Sequence, residues 1–305
     1  VGLGIRHGGY RGPLLQVFPT NAKMNCRGSF LQTRGLPIRR RLVLLGLWLS
    51  AYFVTARLER ELILQCQAVA FSENMRRQLL GSTLIKEDLC HVIQPGVDSD
   101  YFSYDNGMRS FQCIESSYGI NRNDHIILFV GRLSRAKHLP MLLDAVAHIN
   151  GCVKLVLVGE GPEKVYLNQY ANQIGIAERL VFVGTQRALL PGFYAMSRVC
   201  VLPTTTESFG QVFLESLASG TPAVGFAGDG RRILTATNEI IQDGKTGGVV
   251  NVVSAQALAS KINSILSLNE EEYKAMARCA QEDVKMRFSW DRFVDEAVKL
   301  SVALR

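Results

Sequence analysis

With 305 residues, 47% of them hydrophobic and 20% charged, the chain has the size for two α/β domains, and its composition excludes a disordered, collagen-like or disulfide-scaffold protein. The formal charge of +7 is unevenly placed: residues 1–92 carry 13 Lys and Arg against 5 Asp and Glu, and the remainder 21 against 22. A basic N-terminal third fits a membrane surface or an anionic substrate; no aromatic-basic motif accompanies it, so nucleic acid is not expected as a partner. The seven cysteines are odd in number and never in Cys-x-x-Cys spacing, which points to reduced thiols and away from a structural zinc site. No signal peptide pattern precedes the first predicted strand. The opening Val1-Gly-Leu-Gly-Ile5 reads as starting inside a domain, as in a fragment, a processed product or an incomplete gene model.

Leu3 to Tyr10 reads as a strand end running into a glycine-rich loop. The plain reading is a strand-to-loop turn; the functional one places His7 at the carboxyl end of a strand, where open α/β sheets bind ligands. Arg39, Arg40 and Arg41 precede the 13-residue uncharged stretch Leu42 to Val54. A bilayer span needs about 20 apolar residues, so this stretch is too short to cross. It fits either a buried helix continuing through Arg57 to Glu61 or an interfacial helix, with residues 34–54 on a membrane surface. Ala68 to Ser72 predicts a short strand whose serine caps a helix from Glu73 to Leu80. His91 to Asp98 predicts another, broken at Pro95-Gly96. The polar, turn-rich stretch 99–123 reads as a linker.

A second unit then begins. Its predicted strands are 125–130, 154–158, 180–183, 199–203 and 223–226. Between them lie helices at 139–150 and 163–174 and one starting near Phe209. A turn region at 238–247, helices at 254–267 and 270–287 and a last helix from Trp290 close the chain. Strands alternating with helices imply a parallel sheet covered on both faces. Gly159-Glu-Gly161 lacks the third glycine of a dinucleotide fingerprint, which sets aside nicotinamide and flavin dehydrogenases.

The chemistry concentrates in two stretches. Gly131-Arg132-Leu-Ser-Arg-Ala-Lys137 follows a buried strand, at a spacing that lets Arg132 and Lys137 converge beyond its carboxyl end. Cations there suit a diphosphate leaving group, because negative charge grows on it as the bond breaks. Glu207-Ser-Phe-Gly-Gln-Val-Phe-Leu-Glu215 places one carboxylate in a loop and a second a turn inside a helix. Gly210 permits close backbone approach, and the first helical amides favour an anion. A molecule with hydroxyls at both ends and phosphate between them fits this set. A double-displacement glycosidase does not, since it needs two carboxylates about 5 Å apart.

Glu207 to Glu215 resembles the E-x7-E signature of retaining glycosyltransferases of family four, and Gly131 to Lys137 resembles their G-R-x-x-x-x-K element. Pro95-Gly96-Val97-Asp98 with Phe102 resembles the close of that family's first domain. His138 stands where a glycine commonly follows the lysine, and Pro95 where an asparagine is usual. The resemblance implies an α/β, GT-B fold with two Rossmann-like domains facing a cleft. The first is incomplete over 1–98, 99–123 is the linker, 124–288 binds the nucleotide sugar, and 289–305 packs back towards the first domain. It implies sugar transfer with retention from a UDP- or GDP-linked donor to a glycan or lipid-linked acceptor. No cofactor or metal is required, the basic pair supplying the charge a metal supplies elsewhere. Glu207 would hold donor-sugar hydroxyls, and the amides of Phe209, Gly210 and Gln211 the sugar and phosphate. Glu215 would take the ribose. Gly131 would open the phosphate loop, Val183, Gly184, Leu189 and Leu190 would frame the base, and His7 would lie on the acceptor side. A cytoplasmic protein, peripheral to the membrane through 34–54, follows. The alternatives are a nucleotide-sugar-binding fragment without turnover and a peripheral membrane scaffold.

Overall fold

The computed structural model describes residues 15–17, 67–82, 85–120 and 124–303. Two compact units divide the chain, residues 1–94 with 293–305 and residues 95–292. His7 and the 34–54 segment lie outside the described residues.

In the first unit, strands β1 (Leu15–Val17), β2 (Gln67–Ala70) and β3 (Cys90–Val92) form a parallel sheet in the order β1-β2-β3. Helix α1 (Glu73–Ser82) starts where the sequence predicts, because Ser72 Oγ accepts the Met75 amide at 3.0 Å. Ala68, Ala70, Met75, Leu79, Ile85 and Cys90 pack together as its core.

The second unit is built on six parallel strands: β4 (His125–Val130), β5 (Val153–Val158), β6 (Leu180–Gly184), β7 (Val199–Leu202), β8 (Ala223–Phe226) and β9 (Gly247–Val250). Their order is β6-β5-β4-β7-β8-β9. Strands β7 and β8 are buried at every position, as expected where helices cover both faces. Its helices are α2 (Tyr104–Met108), α3 (Phe111–Tyr118), α4 (Leu139–Ala147), α5 (Lys164–Gln173), α6 (Leu190–Ala195), α7 (Gln211–Ala218), α8 (Thr237–Ile240), α9 (Ala255–Leu266) and α10 (Glu270–Arg287). In the last helix, α11 (Trp290–Ala303), the residues from Phe293 onward belong to the first unit. Helix α4 packs on α9, α2 on α6, and α7 on α10.

Two sequence expectations are corrected. The stretch 99–123 is not a linker: it carries α2 and α3 and belongs to the second unit, whose boundary falls after Gln94 rather than Asp98. Ser103 caps α2 by accepting the Asn106 amide, Gly119 ends α3 at φ 62°, and Ile114 and Ile120 join a core cluster with Phe193 and Tyr194. Few residues of this stretch are buried, Gly107, Phe111, Ile114 and Ile120 among those described, so its composition looks like that of a loop. The turn region 238–247 in turn holds helix α8 and leads into β9, a strand hidden by its Gly-Gly start. That start is steric, since a Cβ on Gly247 would lie 2.0 Å from the Ala223 carbonyl oxygen.

The same demand explains Gly159 and Gly161. A Cβ on Gly159, at φ 142°, would lie 2.0 Å from the Gly131 oxygen, and one on Gly161 would lie 2.2 Å from the Leu133 oxygen. The loops after β4 and β5 therefore touch backbone to backbone, with Gly131 N donating to Val158 O and Leu133 N to Glu160 O, both at 3.0 Å. Gly159→Ala is expected to cost about 2 kcal/mol or more. Gly81→Ala, in α1 with nothing within 4 Å, should cost nothing and gain up to about 1 kcal/mol. Urea denaturation checks both, and equal values for the two variants would contradict the close-approach account.

Candidate functional site

The strand order reverses at β4: β5 and β6 lie on one side of it, β7 to β9 on the other. Crossovers leave in opposite directions there, opening a crevice beyond the carboxyl ends, the place where open α/β sheets bind ligands. Both stretches singled out by sequence begin there, one directly after β4 and the other after β7.

The two loops are joined side chain to side chain. Lys137 Nζ lies 2.5 Å from Glu207 Oε2, and both side chains are about one-fifth exposed, at 22% and 23%. Glu207 Oε1 accepts the Ser208 amide at 3.2 Å. One residue before Lys137, the Ala136 carbonyl accepts the Thr204 hydroxyl at 3.2 Å; one residue after it, His138 Nε2 lies 3.0 Å from Thr205 Oγ1. Burial holds the His138 ring below the ordinary histidine pKa, so it is neutral at neutral pH. The 204–207 loop is held from its other side by Leu234, whose carbonyl accepts the Glu207 amide (2.8 Å) and whose amide donates to Thr205 O (2.7 Å).

Helix α7 starts at Gly210, at φ 108°, a conformation that costs glycine least. Phe209 is buried edge-on against Phe288, and Gln211 Nε2 donates to the Gly96 carbonyl at 2.9 Å. Within α7, Glu215 Oε2 accepts the hydroxyl of fully buried Tyr194 at 2.7 Å. Burial lifts the Glu215 carboxyl above the ordinary range, and the Tyr194 bond partly opposes that. The Tyr194 phenol is pushed up as well, by its own burial first and then by the neighbouring carboxylate.

The remaining predicted residues fall around these loops. Gly131, at φ 147°, opens the loop after β4, and Arg132 beside it is exposed. Val183 and Gly184 end β6, with Gly184 at φ 77° and the Glu160 carboxylate where a Cβ would point. Leu189 and Leu190 pack against the cluster that holds Phe193 and Tyr194.

Sequence reading misses Tyr194, whose setting Leu190-Pro-Gly-Phe-Tyr-Ala195 looks like core. It also misses Thr204, Thr205 and Leu234, because nothing local marks a loop-to-loop bond. The Asp98-Ser99-Asp100 spacing is overlooked too. It serves the turn into α2: Asp98 Oδ1 accepts the Tyr101 amide at 2.9 Å and Asp100 O accepts the Ser103 hydroxyl at 2.8 Å.

Residues 111–283 match the family model for glycosyl transferases group 1, more than half of the chain. The chain belongs to the group 1 glycosyltransferases. An uncharacterized glycosyltransferase of Methanocaldococcus jannaschii is 29% identical over 77% of this chain and 59% of its own length. A D-inositol 3-phosphate glycosyltransferase of Mycolicibacterium smegmatis is 32% identical over 67% of this chain and 45% of its own. The chain thus spans about half the length of these curated relatives. Among solved structures, the sucrose-phosphate synthase of Thermosynechococcus elongatus superposes with a TM-score of 0.76, at 20% identity, over 99% of this chain and 70% of its own. Anabaena HepE, solved with UDP and glucose, gives a TM-score of 0.74, at 20% identity, over 96% and 72%. The fold of the chain is α/β and GT-B.

The lifted Glu215 carboxyl has a consequence for stability. The folded chain holds that proton more tightly than the unfolded one does, so the contribution favours folding in acid and is lost as pH rises through the lifted pKa. Glu215→Gln keeps an acceptor for Tyr194 and removes the buried charge. Its thermal midpoint at pH 7 is expected about 2 °C above wild type, with the advantage shrinking as pH falls through the carboxylate range. Calorimetry across that range checks it; an advantage independent of pH would exclude the carboxylate as its source.

Proposed function

We propose that this chain binds a UDP- or GDP-linked sugar and transfers the sugar, with retention, to a glycan or lipid-linked acceptor. The observation that carries the reading is the Lys137–Glu207 pair, 2.5 Å apart at the reversal of strand order. The bound UDP and glucose in HepE support a nucleotide-sugar donor.

In this reading the donor's diphosphate takes Lys137 away from Glu207, and a sugar hydroxyl donates to the carboxylate so released. Lys137, with exposed Arg132, then offsets the charge that grows on the leaving diphosphate. The cations stand in for a metal, and none is required. Gly131 and Gly210, both at positive φ, let the backbone approach the phosphates, with Phe209 and Gln211 fixing the entry to α7. Glu215, held by Tyr194, accepts the ribose hydroxyls. Gly184, Val183 and Leu190 border the base.

The basic N-terminal third supports an acceptor side at a membrane surface, with residues 34–54 making the contact and His7 facing the acceptor, in a cytoplasmic protein. Among the described residues no helix is long and apolar enough to cross a membrane.

Release of UDP or GDP from a panel of nucleotide sugars, with and without glycan and lipid-linked acceptors, tests the reading. Wild type is expected to turn over one donor, and Lys137→Ala to lower turnover by about 10²- to 10³-fold, as when one donor group to a developing oxyanion is lost. Nucleotide binding without product across the panel would favour a nucleotide-sugar-binding protein without turnover. Absence of nucleotide binding would end both readings.

A further inference from the structure

We propose that His138 is a positioning residue for the donor diphosphate: through Thr205 it locks the loop after β4 onto the loop after β7 and so fixes where Lys137 stands. This rests on the donor-site reading above and adds to it a residue that neither motif contains.

Among the described residues His138 is the one non-glycine at positive φ, with φ 50° and ψ 35°. The conformation has a local cause. The same residue ends the tight turn Arg135–Lys137 and precedes α4 at Leu139, and a single left-handed residue there redirects the chain between the two. Glycine meets that demand freely, and a side chain with a Cβ does not. Strain held at a site where a glycine would relieve it points to work done by the side chain. Here that work is visible, because Nε2 sits 3.0 Å from Thr205 Oγ1.

The bond falls where it has most leverage. Ala136, Lys137 and His138 each meet one residue of the opposite loop, Thr204, Glu207 and Thr205 respectively. Lys137 alone is a point charge on a flexible stem, and one ion pair does not fix its backbone. Neighbouring bonds on both sides do, so the ammonium is already placed when the ligand arrives. His138 also lines an open pocket of about 550 Å³ with Arg135, Pro140, Met141, Glu163 and Tyr166.

The test is a double-mutant cycle with His138→Gly, Thr205→Val and the double variant. Affinities for UDP, GDP, UMP and GMP are read by calorimetry beside the thermal midpoint. His138→Gly is expected to keep or raise the midpoint, since glycine accepts this backbone, and yet to bind the diphosphate about tenfold more weakly, the loss typical of one such bond. Monophosphate affinity should stay within about twofold, because Lys137 serves the outer phosphate. Thr205→Val, nearly isosteric, should reproduce the loss even if His138→Gly folds poorly, and the double variant should lose no more than either single one. Wild-type diphosphate affinity in Thr205→Val or in folded His138→Gly, equal losses for mono- and diphosphate, or losses that multiply in the double variant would each overturn the proposal. A wild-type chain that binds neither UDP nor GDP overturns the donor-site reading itself, and this inference with it.

Discussion

A lysine and a glutamate taken from loops 70 residues apart meet at the one place in the sheet where neighbouring strands send their crossovers to opposite sides. The pair is partly withdrawn from water, with both side chains about one-fifth exposed. Such a pair adds little net stability, because desolvation offsets most of the attraction, whereas one partner left alone is costly. The contact therefore cannot be what builds the loops. It depends on loops fixed by other means, and the structure supplies these on three sides: the Thr204 and His138 bonds across the crevice, the Leu234 backbone behind the 204–207 loop, and the glycine contacts between the β4 and β5 loops. What the fold delivers is a cation and a carboxylate held near each other at the reversal of strand order.

Glu215 follows a different logic. Its carboxyl is lifted by burial, and a single phenolic hydroxyl compensates. That is a local destabilisation, tolerable because Tyr194 is itself fully buried, as is Phe193 beside it in the chain. A ligand hydroxyl donating to the carboxylate would supply what the interior withholds. Glu207 is paired with a charge, whereas Glu215 has only a hydroxyl beside it.

How much of this was legible depended on where each signal lives. Strands β4 and β8 could be read to the residue, since runs such as His125-Ile-Ile-Leu-Phe-Val130 are buried on both faces and need no partner information. Helix α10 starts at Glu270 as expected, because Asn269 and Glu272 bond each other's amides within one turn. Helix α3 and strand β9 escaped notice for the opposite reason: Ile114 and Gly247 matter through residues distant in sequence, Tyr194 and Ala223 respectively. The same division runs through the site. Lys137, Glu207 and Glu215 stood out by spacing. Their actual partners, Glu207 for Lys137 and Tyr194 for Glu215, are tertiary facts. His138 was visible only as an oddity after the lysine, and its positive φ and its bond to Thr205 give that oddity a cause.

The support for Glu207 reaches further, to a group with no place in either motif. Leu234 holds the 204–207 loop by two backbone bonds, and what presents Leu234 is the turn that Asp229 organises. The Asp229 carboxylate accepts the amides of Arg231, Arg232 and Ile233 at 2.7, 2.7 and 2.8 Å. Those amides, Arg231 first, hold its carboxyl below the ordinary range, so the turn is favoured at neutral pH and loosens only as pH falls through the lowered pKa. Asp229 is exposed, and its effect reaches the loop through the geometry of the turn. A surface carboxylate thus shapes a turn, the turn places one leucine backbone, and that backbone sets the loop from which Glu207 faces Lys137. The acid–base pair is the last step in a hierarchy that starts with buried strands, passes through backbone-bonded loops, and reaches side-chain chemistry only when both are in place.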